Sequence, residues 1–109
     1  MSKKQDKIKR SLIKVYKEIY NERDFYCTGC GRYDLPLSNS HLIPRSRRSD
    51  LILEKKNITY HCLTMGERTG CHDIWESKKR HKLLDYFVNL AYIKEVDLEY
   101  YEIITNLNA

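Results

Sequence analysis

Hydrophobic positions recur with a helical period near the start of the chain. Over residues 3–21 the apolar side chains fall three or four positions apart, which places them on one face of an amphipathic helix. We therefore expect a basic amphipathic helix within residues 1–24. Its basic face fits a solvated surface and a phosphate-contacting surface equally well. The apolar face comprises Ile8, Leu12, Val15, Tyr16, Ile19 and Tyr20, and the basic residues are Lys3, Lys4, Lys7, Lys9, Arg10, Lys14 and Lys17.

The helical period disappears over residues 25–62. Glycine, cysteine, serine and proline alternate there with short β-prone pieces, in FYCTGCGRY, LPLSNSHLIP and NITYHCL. This pattern predicts a compact hairpin region with a basic loop at residues 45–49. Residues 63–70, which contain Gly66 and Gly70, are expected to form a further loop.

From Cys71 onward the helical pattern returns, and the segment KKRHK at residues 78–82 reads as a polar, basic face of that helix. Trp75 is expected in the core, packing this helix on the hairpin. Asp97 is a candidate cap for a last helix carrying Leu98, Tyr101, Ile104 and Thr105. The order of elements predicts one α+β domain, with a basic helix at 1–24, a central unit at 25–92 and a C-terminal helix at 93–109.

Composition narrows the class of protein. The chain has 109 residues, 41% of them hydrophobic and 32% charged, which suits one folded domain. No apolar run approaches the roughly 20 residues of a membrane-spanning helix, and the N-terminus lacks the apolar stretch of a signal peptide. We therefore expect a soluble, cytoplasmic protein. The formal net charge is +5, and the first 82 residues carry 19 basic against 10 acidic side chains, which favours a polyanionic partner.

The chain has four cysteines. Disulfides do not persist in a reducing compartment, so we expect these cysteines to have another role. Cys27 and Cys30 form a C-x-x-C pair followed by Gly31, and Cys62 and Cys71 form a second pair with eight residues between them. Four thiolates make a closed structural zinc site, which would stabilise a small core. A redox C-x-x-C pair and unpaired structural thiols are the alternatives, and His61 is a lesser candidate for one ligand position.

Three segments around the cysteines carry candidate chemistry: Ser40-His41-Leu42-Ile43-Pro44-Arg45, the run from Asn57 to Cys62, and Cys71-His72-Asp73-Ile74-Trp75-Glu76. With the C-x-x-C pair, this ordered set over residues 27–76 resembles the HNH endonuclease family, in the zinc-bearing form found in phages and mobile elements. The resemblance implies a ββα-metal fold, similar to a treble clef, between the N-terminal and C-terminal helices. In a phage-encoded protein, the compartment would be the host cytoplasm.

The resemblance also implies roles for individual residues. His41 would be the general base, since histidine titrates near neutrality, Asn57 would hold the loop and orient that base, and His72 would bind a catalytic metal. An alternative is that His72 replaces one cysteine at the zinc site. The residues expected to contact nucleic acid are Arg45, Arg47, Arg48, Lys78, Lys79 and Arg80.

One position departs from the family pattern. Many members place an aspartate or histidine before the base as a second metal ligand, whereas this chain has Ser40. Glu76, one turn after His72, is the best replacement, because positions i and i+4 are neighbours on a helix. Asp73 is expected to point elsewhere, and His81 to lie too far along. The other alternative is weak metal binding completed by water and a DNA phosphate.

These observations predict a metal-dependent endonuclease that nicks or cuts DNA, most readily duplex DNA. It would carry structural Zn²⁺ and a catalytic divalent ion such as Mg²⁺ or Mn²⁺. The alternatives are a zinc-stabilised nucleic-acid-binding module on the same fold that does not cut, and a zinc-dependent protein-interaction adaptor. In so short a chain, specificity would come from a homodimer or a partner protein.

Overall fold

Four helices and a two-stranded antiparallel sheet make up the regular structure of the described residues, 3–107, in the computed structural model. The predicted α+β class is confirmed. The predicted terminal helices also included residues 1–2 and 108–109, which lie outside the described residues. Among residues 3–107, no helix is both long enough and apolar enough to cross a membrane. The elements are α1 (Lys3–Glu22), β1 (Leu37–His41), β2 (Ile58–Cys62), α2 (Cys71–Trp75), α3 (Tyr86–Val96) and α4 (Leu98–Leu107), with short 3-10 turns at Ser49–Leu51, Lys55–Asn57 and Arg80–Lys82.

Helix α1 packs on one face of the hairpin through most of the apolar face that the sequence predicts, whereas Tyr20 is 61% exposed and contacts the edge of this core through Phe25. Ile19 is fully buried against Ile58 and Tyr60 of β2. These two residues share a face because side chains alternate along a strand. At the end of α1, Arg23 donates hydrogen bonds to the carbonyls of Ile58 at 2.5 Å and Lys55 at 2.7 Å. The helix is therefore attached to the hairpin mainly through its C-terminal half.

The opposite face of the hairpin carries polar side chains towards α2 and α3. Ser40 pairs with Thr59 in the register, and Ser38 pairs with His61. Ser40 and His61 are buried, so this face supplies hydrogen-bonding groups to the helices that cover it. The main core lies around it and comprises Cys27, Leu42, Ile43, Cys62, Cys71, Trp75, Leu83, Tyr86, Leu90, Ile93 and Ile104.

Helix α2 is much shorter than the sequence pattern predicts. It ends at Trp75, and the chain continues in turns through residues 76–82. Ser77 gives the reason, because its hydroxyl donates to the Ile74 carbonyl at 2.7 Å and accepts from the Lys79 amide at 3.1 Å. Such local side-chain bonds compete with helical ones. The expectation that residues 78–80 lie on the helix of His72 is wrong.

Asp97 separates the last two helices. Its carboxylate accepts a hydrogen bond from the Tyr100 amide at 3.1 Å, the contact expected of a helix cap, so the predicted cap is confirmed. The break therefore falls at Asp97, and α3 continues across residue 93, where the C-terminal helix was expected to begin. The same carboxylate also receives Arg47 from the loop after β1, which ties that loop to the start of α4.

Candidate functional site

The four cysteines meet at one point. Their sulfur atoms all lie within 4.8 Å of one another, and none forms a disulfide. Cys27 and Cys30 come from the turn after α1, Cys62 ends β2, and Cys71 begins α2. The cluster is compatible with a structural zinc ion, because four sulfur atoms at this spacing match a closed site made of four thiolates.

Glycines make this convergence possible. A Cβ atom on Gly29 would lie 2.8 Å from Cys71 Cβ, and one on Gly70 would lie 2.4 Å from the Cys62 carbonyl oxygen. Gly31 has a φ of 79°, a left-handed conformation that side chains disfavour. The two halves of the cluster therefore approach more closely than any larger residue would allow.

Hydrogen bonds to sulfur stabilise negative charge in the cluster. The amide of Cys71 donates to Cys62 Sγ at 3.3 Å, and Arg68 Nη1 lies 3.4 Å from the same sulfur. Burial opposes ionisation of Cys62, but these donors prevail and lower its pKa to about 6. Burial raises the pKa of Cys27 and of Cys71, so the positive charge of a metal ion is what would ionise the whole set.

Arg68 belongs to this site although the sequence did not single it out. It lies in a tight turn closed by two backbone hydrogen bonds with Met65, both 3.0 Å long. The turn brings the second nitrogen of its guanidinium, Nη2, to 3.9 Å from Cys30 Sγ. The segment between Cys62 and Cys71 thus supplies a cation to two of the four sulfur atoms.

His61 lies in a separate network and is not among the clustered ligands. Its Nε2 atom is 2.9 Å from Asp85 Oδ2, and the same oxygen accepts from Thr28 and Asn89 at 2.8 Å each. Burial raises the pKa of Asp85, but the contacts with His61, Asn89 and Thr28 outweigh it, and the net shift is downward. This network joins the C-x-x-C turn to α3. Its only signal in the sequence is the i, i+4 spacing of Asp85 and Asn89.

His41 is the last residue of β1, and one of its ring nitrogens is hydrogen-bonded. Its Nε2 is 2.9 Å from the Ile52 carbonyl oxygen. A carbonyl only accepts, so Nε2 carries the hydrogen and Nδ1 keeps its lone pair in the neutral ring. Burial and, to a smaller extent, the positive charge of Arg45 lower the pKa of His41 below its usual value, despite the bond to Ile52. The side chain is thus held as a neutral base.

Asn57 fastens the loop that follows His41. Its side chain is 1% exposed, and its Oδ1 atom accepts from the Ile43 amide at 2.9 Å. Its Nδ2 atom donates to the carbonyls of Ile43 and Leu51 at 3.2 and 3.3 Å. Because Ile52 follows Leu51, the hydrogen bond from Asn57 to the Leu51 carbonyl also positions the Ile52 carbonyl that contacts His41.

His72 faces the hairpin at Ser40, the position where the sequence departs from the HNH family pattern. Its Nδ1 atom lies 2.6 Å from Ser40 Oγ and 3.2 Å from Ser38 Oγ. His72, Asp73 and Glu76 also form a group whose potential ligand atoms lie within 4.8 Å of one another. The expectation that Asp73 points elsewhere is wrong, since it belongs to this group together with Glu76.

His41 and Glu76 line the same surface depression, and His72 is not among its lining residues. The volume of the depression is about 270 Å³. Glu76 therefore belongs both to this depression and to the group around His72. Trp75 is buried, as predicted, and its indole nitrogen donates to the Leu42 carbonyl at 3.1 Å, which joins α2 to the segment after β1. The other lining residues are Leu42, Pro44, Trp75, Arg80 and Tyr100.

The basic residues expected to contact nucleic acid differ in their surroundings. Arg47 donates two hydrogen bonds of 3.2 Å to Asp97, and Arg48 donates two of 2.8 Å to Asp50. Arg80 is 7% exposed, donates to the Trp75 carbonyl and lies over the Trp75 ring. These three guanidinium groups are hydrogen-bonded to other groups of the protein. Arg45, Lys78 and Lys79 are exposed.

No protein-family model, curated protein or solved structure matches this chain. The resemblance to the HNH family therefore stays a prediction, and a function has to be argued from the geometry of the site.

Proposed function

We propose that this protein is a metal-dependent endonuclease of the HNH type, acting on DNA. One observation carries the proposal: His41 is held as a neutral base, with Nε2 bonded to Ile52, in a depression that it shares with Glu76 of the His72 group. Hydrolysis of a phosphodiester needs a base for water beside a site that stabilises negative charge. The depression lined by both His41 and Glu76 supports such a reaction.

In this mechanism His41 Nδ1 takes a proton from the attacking water. The bond from Nε2 to the Ile52 carbonyl fixes the ring plane, and it stabilises the imidazolium that forms. Asn57 acts as a positioning residue, because it holds the loop that carries this carbonyl. A positioned general base accelerates such a step by roughly 10²–10⁴-fold.

The residues present fit a catalytic divalent ion. His72, Asp73 and Glu76 offer one nitrogen and two carboxylate donors within 4.8 Å of one another, a mixed set that suits Mn²⁺ or Ni²⁺ better than the all-oxygen preference of Mg²⁺. When bound, the ion would supply Lewis-acid stabilisation of charge on the phosphate. Arg45, Lys78 and Lys79 are the exposed cations from the predicted set that we assign to phosphate contact.

Plasmid nicking tests the proposal. Supercoiled plasmid is incubated with the zinc-loaded protein and Mg²⁺, Mn²⁺ or Ni²⁺, and the nicked fraction is followed with time. We expect His41→Ala to lose at least about a hundredfold in rate, the lower range of general-base contributions. His81→Ala, which changes an exposed histidine outside the site, is the matched control. Equal nicking by both variants would remove His41 from the mechanism.

A manganese titration tests the metal ligands. If Glu76 completes the site, Glu76→Ala should nick slowly at low Mn²⁺ and recover in part at high Mn²⁺. Exposed Glu67→Ala, in the turn of Arg68, serves as control because it lies outside the ligand group. A titration curve that Glu76→Ala leaves unchanged would show that Glu76 binds no metal.

One observation favours a second function, a zinc-stabilised DNA-binding module that does not cut. The Ser40 and Ser38 hydroxyls already satisfy His72 Nδ1, at 2.6 and 3.2 Å, so this nitrogen needs no metal in the folded protein. DNA binding without nicking under any of the three metals would favour this module. In that case Ser40→Asp, which restores a carboxylate beside His72, is the variant expected to gain metal-dependent nicking.

A further inference from the structure

Helix α1 carries cations that the folded protein leaves uncompensated. Several cations elsewhere have partners: Arg23 donates to two carbonyls, Arg32 pairs with Asp34, and Lys55 pairs with Glu18 and Glu22. Within the described residues, by contrast, the exposed basic side chains of α1 form no ion pair. They are Lys7, Lys9, Arg10, Lys14 and Lys17.

In the part of the chain that the structure describes, the acidic residues of α1 form no ion pair with these cations, although Asp6 lies four positions before Arg10 and Glu18 four after Lys14. Glu18 and Glu22 both bind Lys55, at 3.2 and 2.7 Å, at the end of α1 where Arg23 attaches it to the hairpin. Asp6 is the other acidic side chain of the helix. The first three turns therefore hold an excess of positive charge, next to the end of the helix where the backbone dipole is also positive.

The spacing of the cations makes this excess unfavourable within α1 itself. Arg10 lies three residues from Lys7 and four from Lys14, and Lys14 lies three from Lys17, so like charges are neighbours on the helix surface. Such pairs destabilise a helix, whereas an external polyanion would relieve the repulsion. The rise of 1.5 Å per residue stretches this stripe over about 15 Å from Lys7 to Lys17.

A groove next to α1 extends this positive charge towards the candidate site. Lys9 and Arg45 line one groove of about 420 Å³, whose apolar wall is formed by Ile8 and Leu12. Arg45 follows His41 by four residues, and the charge of its guanidinium already acts on the His41 ring. The cations of α1 are thus continuous, through Arg45, with the segment that carries the candidate base.

We propose that α1 and Arg45 form a DNA-binding surface that holds the phosphate backbone of duplex DNA. We call it the α1 cationic surface; its residues are Lys7, Lys9, Arg10, Lys14, Lys17 and Arg45. The inference rests on the proposed function only for the choice of DNA as the polyanion. Lysine and arginine contacts of this kind fix a protein on the backbone without reading base sequence.

Binding to a fluorescent duplex DNA of random sequence, measured over a range of salt concentrations, tests this surface. One variant combines Arg10→Gln, Lys14→Gln and Lys17→Gln, and a matched variant combines Lys56→Gln, Lys82→Gln and Lys94→Gln. Each removes three positive charges, and glutamine keeps a high helix propensity. Zinc content and the circular dichroism spectrum of each variant verify that it folds.

Counterion release sets the expected result. Loss of three phosphate contacts should reduce the slope of log K against log salt by about 2 to 3, and should weaken binding near 0.1 M salt by roughly 10²-fold or more. The matched variant should change the slope by less than about 1. A charge-conserving variant of the same three positions, Arg10→Lys, Lys14→Arg and Lys17→Arg, should retain the wild-type slope.

Several results would overturn the inference. Equal effects of the two glutamine variants would show that net charge matters and placement does not. Absence of duplex binding by the wild-type protein would remove DNA as the partner, and tighter binding to an RNA duplex would reassign it. Nicking is scored separately: loss of the α1-specific effect refutes this surface alone, whereas intact binding without nicking refutes the endonuclease alone.

Discussion

Replacing Asn57 by alanine should strongly destabilise this protein. The amide makes three hydrogen bonds to the backbone of Ile43 and Leu51, and its side chain is 1% exposed. Alanine would make none of them, and water could not easily replace the amide at a buried position. The Ile43 amide and carbonyl would lose the partner that Asn57 supplies, whereas the Leu51 carbonyl would keep its bond from the Glu54 amide at 3.2 Å.

The size of the effect follows from these three bonds. A typical intramolecular hydrogen bond contributes about 1 kcal/mol net, and a buried group left unpaired costs about 1–3 kcal/mol. Because the two Nδ2 bonds are long, at 3.2 and 3.3 Å, we take the lower value for each. The loss in the free energy of unfolding is then about 3 kcal/mol, which lowers the melting temperature by roughly 12–24 °C for a domain near 100 residues.

Urea unfolding followed by far-ultraviolet circular dichroism measures this loss, at a fixed excess of Zn²⁺ because metal binding shifts apparent stability. The matched control is Asn39→Ala, the same substitution in β1 at an amide whose Oδ1 atom has no hydrogen-bond partner. It should cost less than about 1 kcal/mol. If the free energies of unfolding of Asn57→Ala and Asn39→Ala differ by less than about 0.5 kcal/mol, the hydrogen bonds of Asn57 do not hold the loop.

Three further predictions concern the cysteine cluster and the base. Arg68→Ala should lower the zinc affinity, measured by competition with a chromogenic chelator, by about tenfold or more, as loss of an outer-shell contact does, whereas Arg32→Ala, whose guanidinium pairs with Asp34, should leave it nearly unchanged; equal affinities contradict the role of Arg68. Gly70→Ala should abolish zinc retention after purification because its Cβ would meet backbone atoms at 2.3–2.5 Å, while Gly66→Ala meets open space and should keep zinc at a cost of about 1–2 kcal/mol. Only neutral His41 accepts a proton and burial lowers its pKa, so nicking should fall on the acid side with a midpoint below pH 6.5; a midpoint at or above that value contradicts the assignment.

The C-x-x-C half of the cysteine cluster and the first helix could be predicted from the sequence because each depends on local spacing. A C-x-x-C pair followed by glycine has few uses, and the apolar face of α1 follows a simple period. The cap at Asp97 could be predicted equally well, since an acidic residue before an apolar run is typical of a helix cap. In each of these cases the residues that determine the structure are close together in the chain.

The surroundings of the arginines could not be predicted in this way. Arg47 reaches Asp97 across 50 positions of sequence, and no local pattern reveals such a contact. The length of α2 was missed because one hydroxyl, that of Ser77, ends the helix inside an otherwise helical pattern. Asp73 joins the His72 group, and no local pattern in the sequence indicated that its carboxylate would lie beside the His72 ring.

The position of the cysteines along the chain governs the order in which the molecule can be assembled. Cys27 and Cys30 precede the hairpin, Cys62 is its last residue and Cys71 follows it, so the cluster closes a loop that contains both strands and His41. Closing such a loop costs chain entropy before its contacts reward it. During synthesis the cluster cannot be completed before Cys71 has emerged, and His72 is the very next residue. A nascent chain therefore acquires its sulfur cluster and the partner of Ser40 together, so that shorter intermediates on the ribosome lack the proposed cutting site.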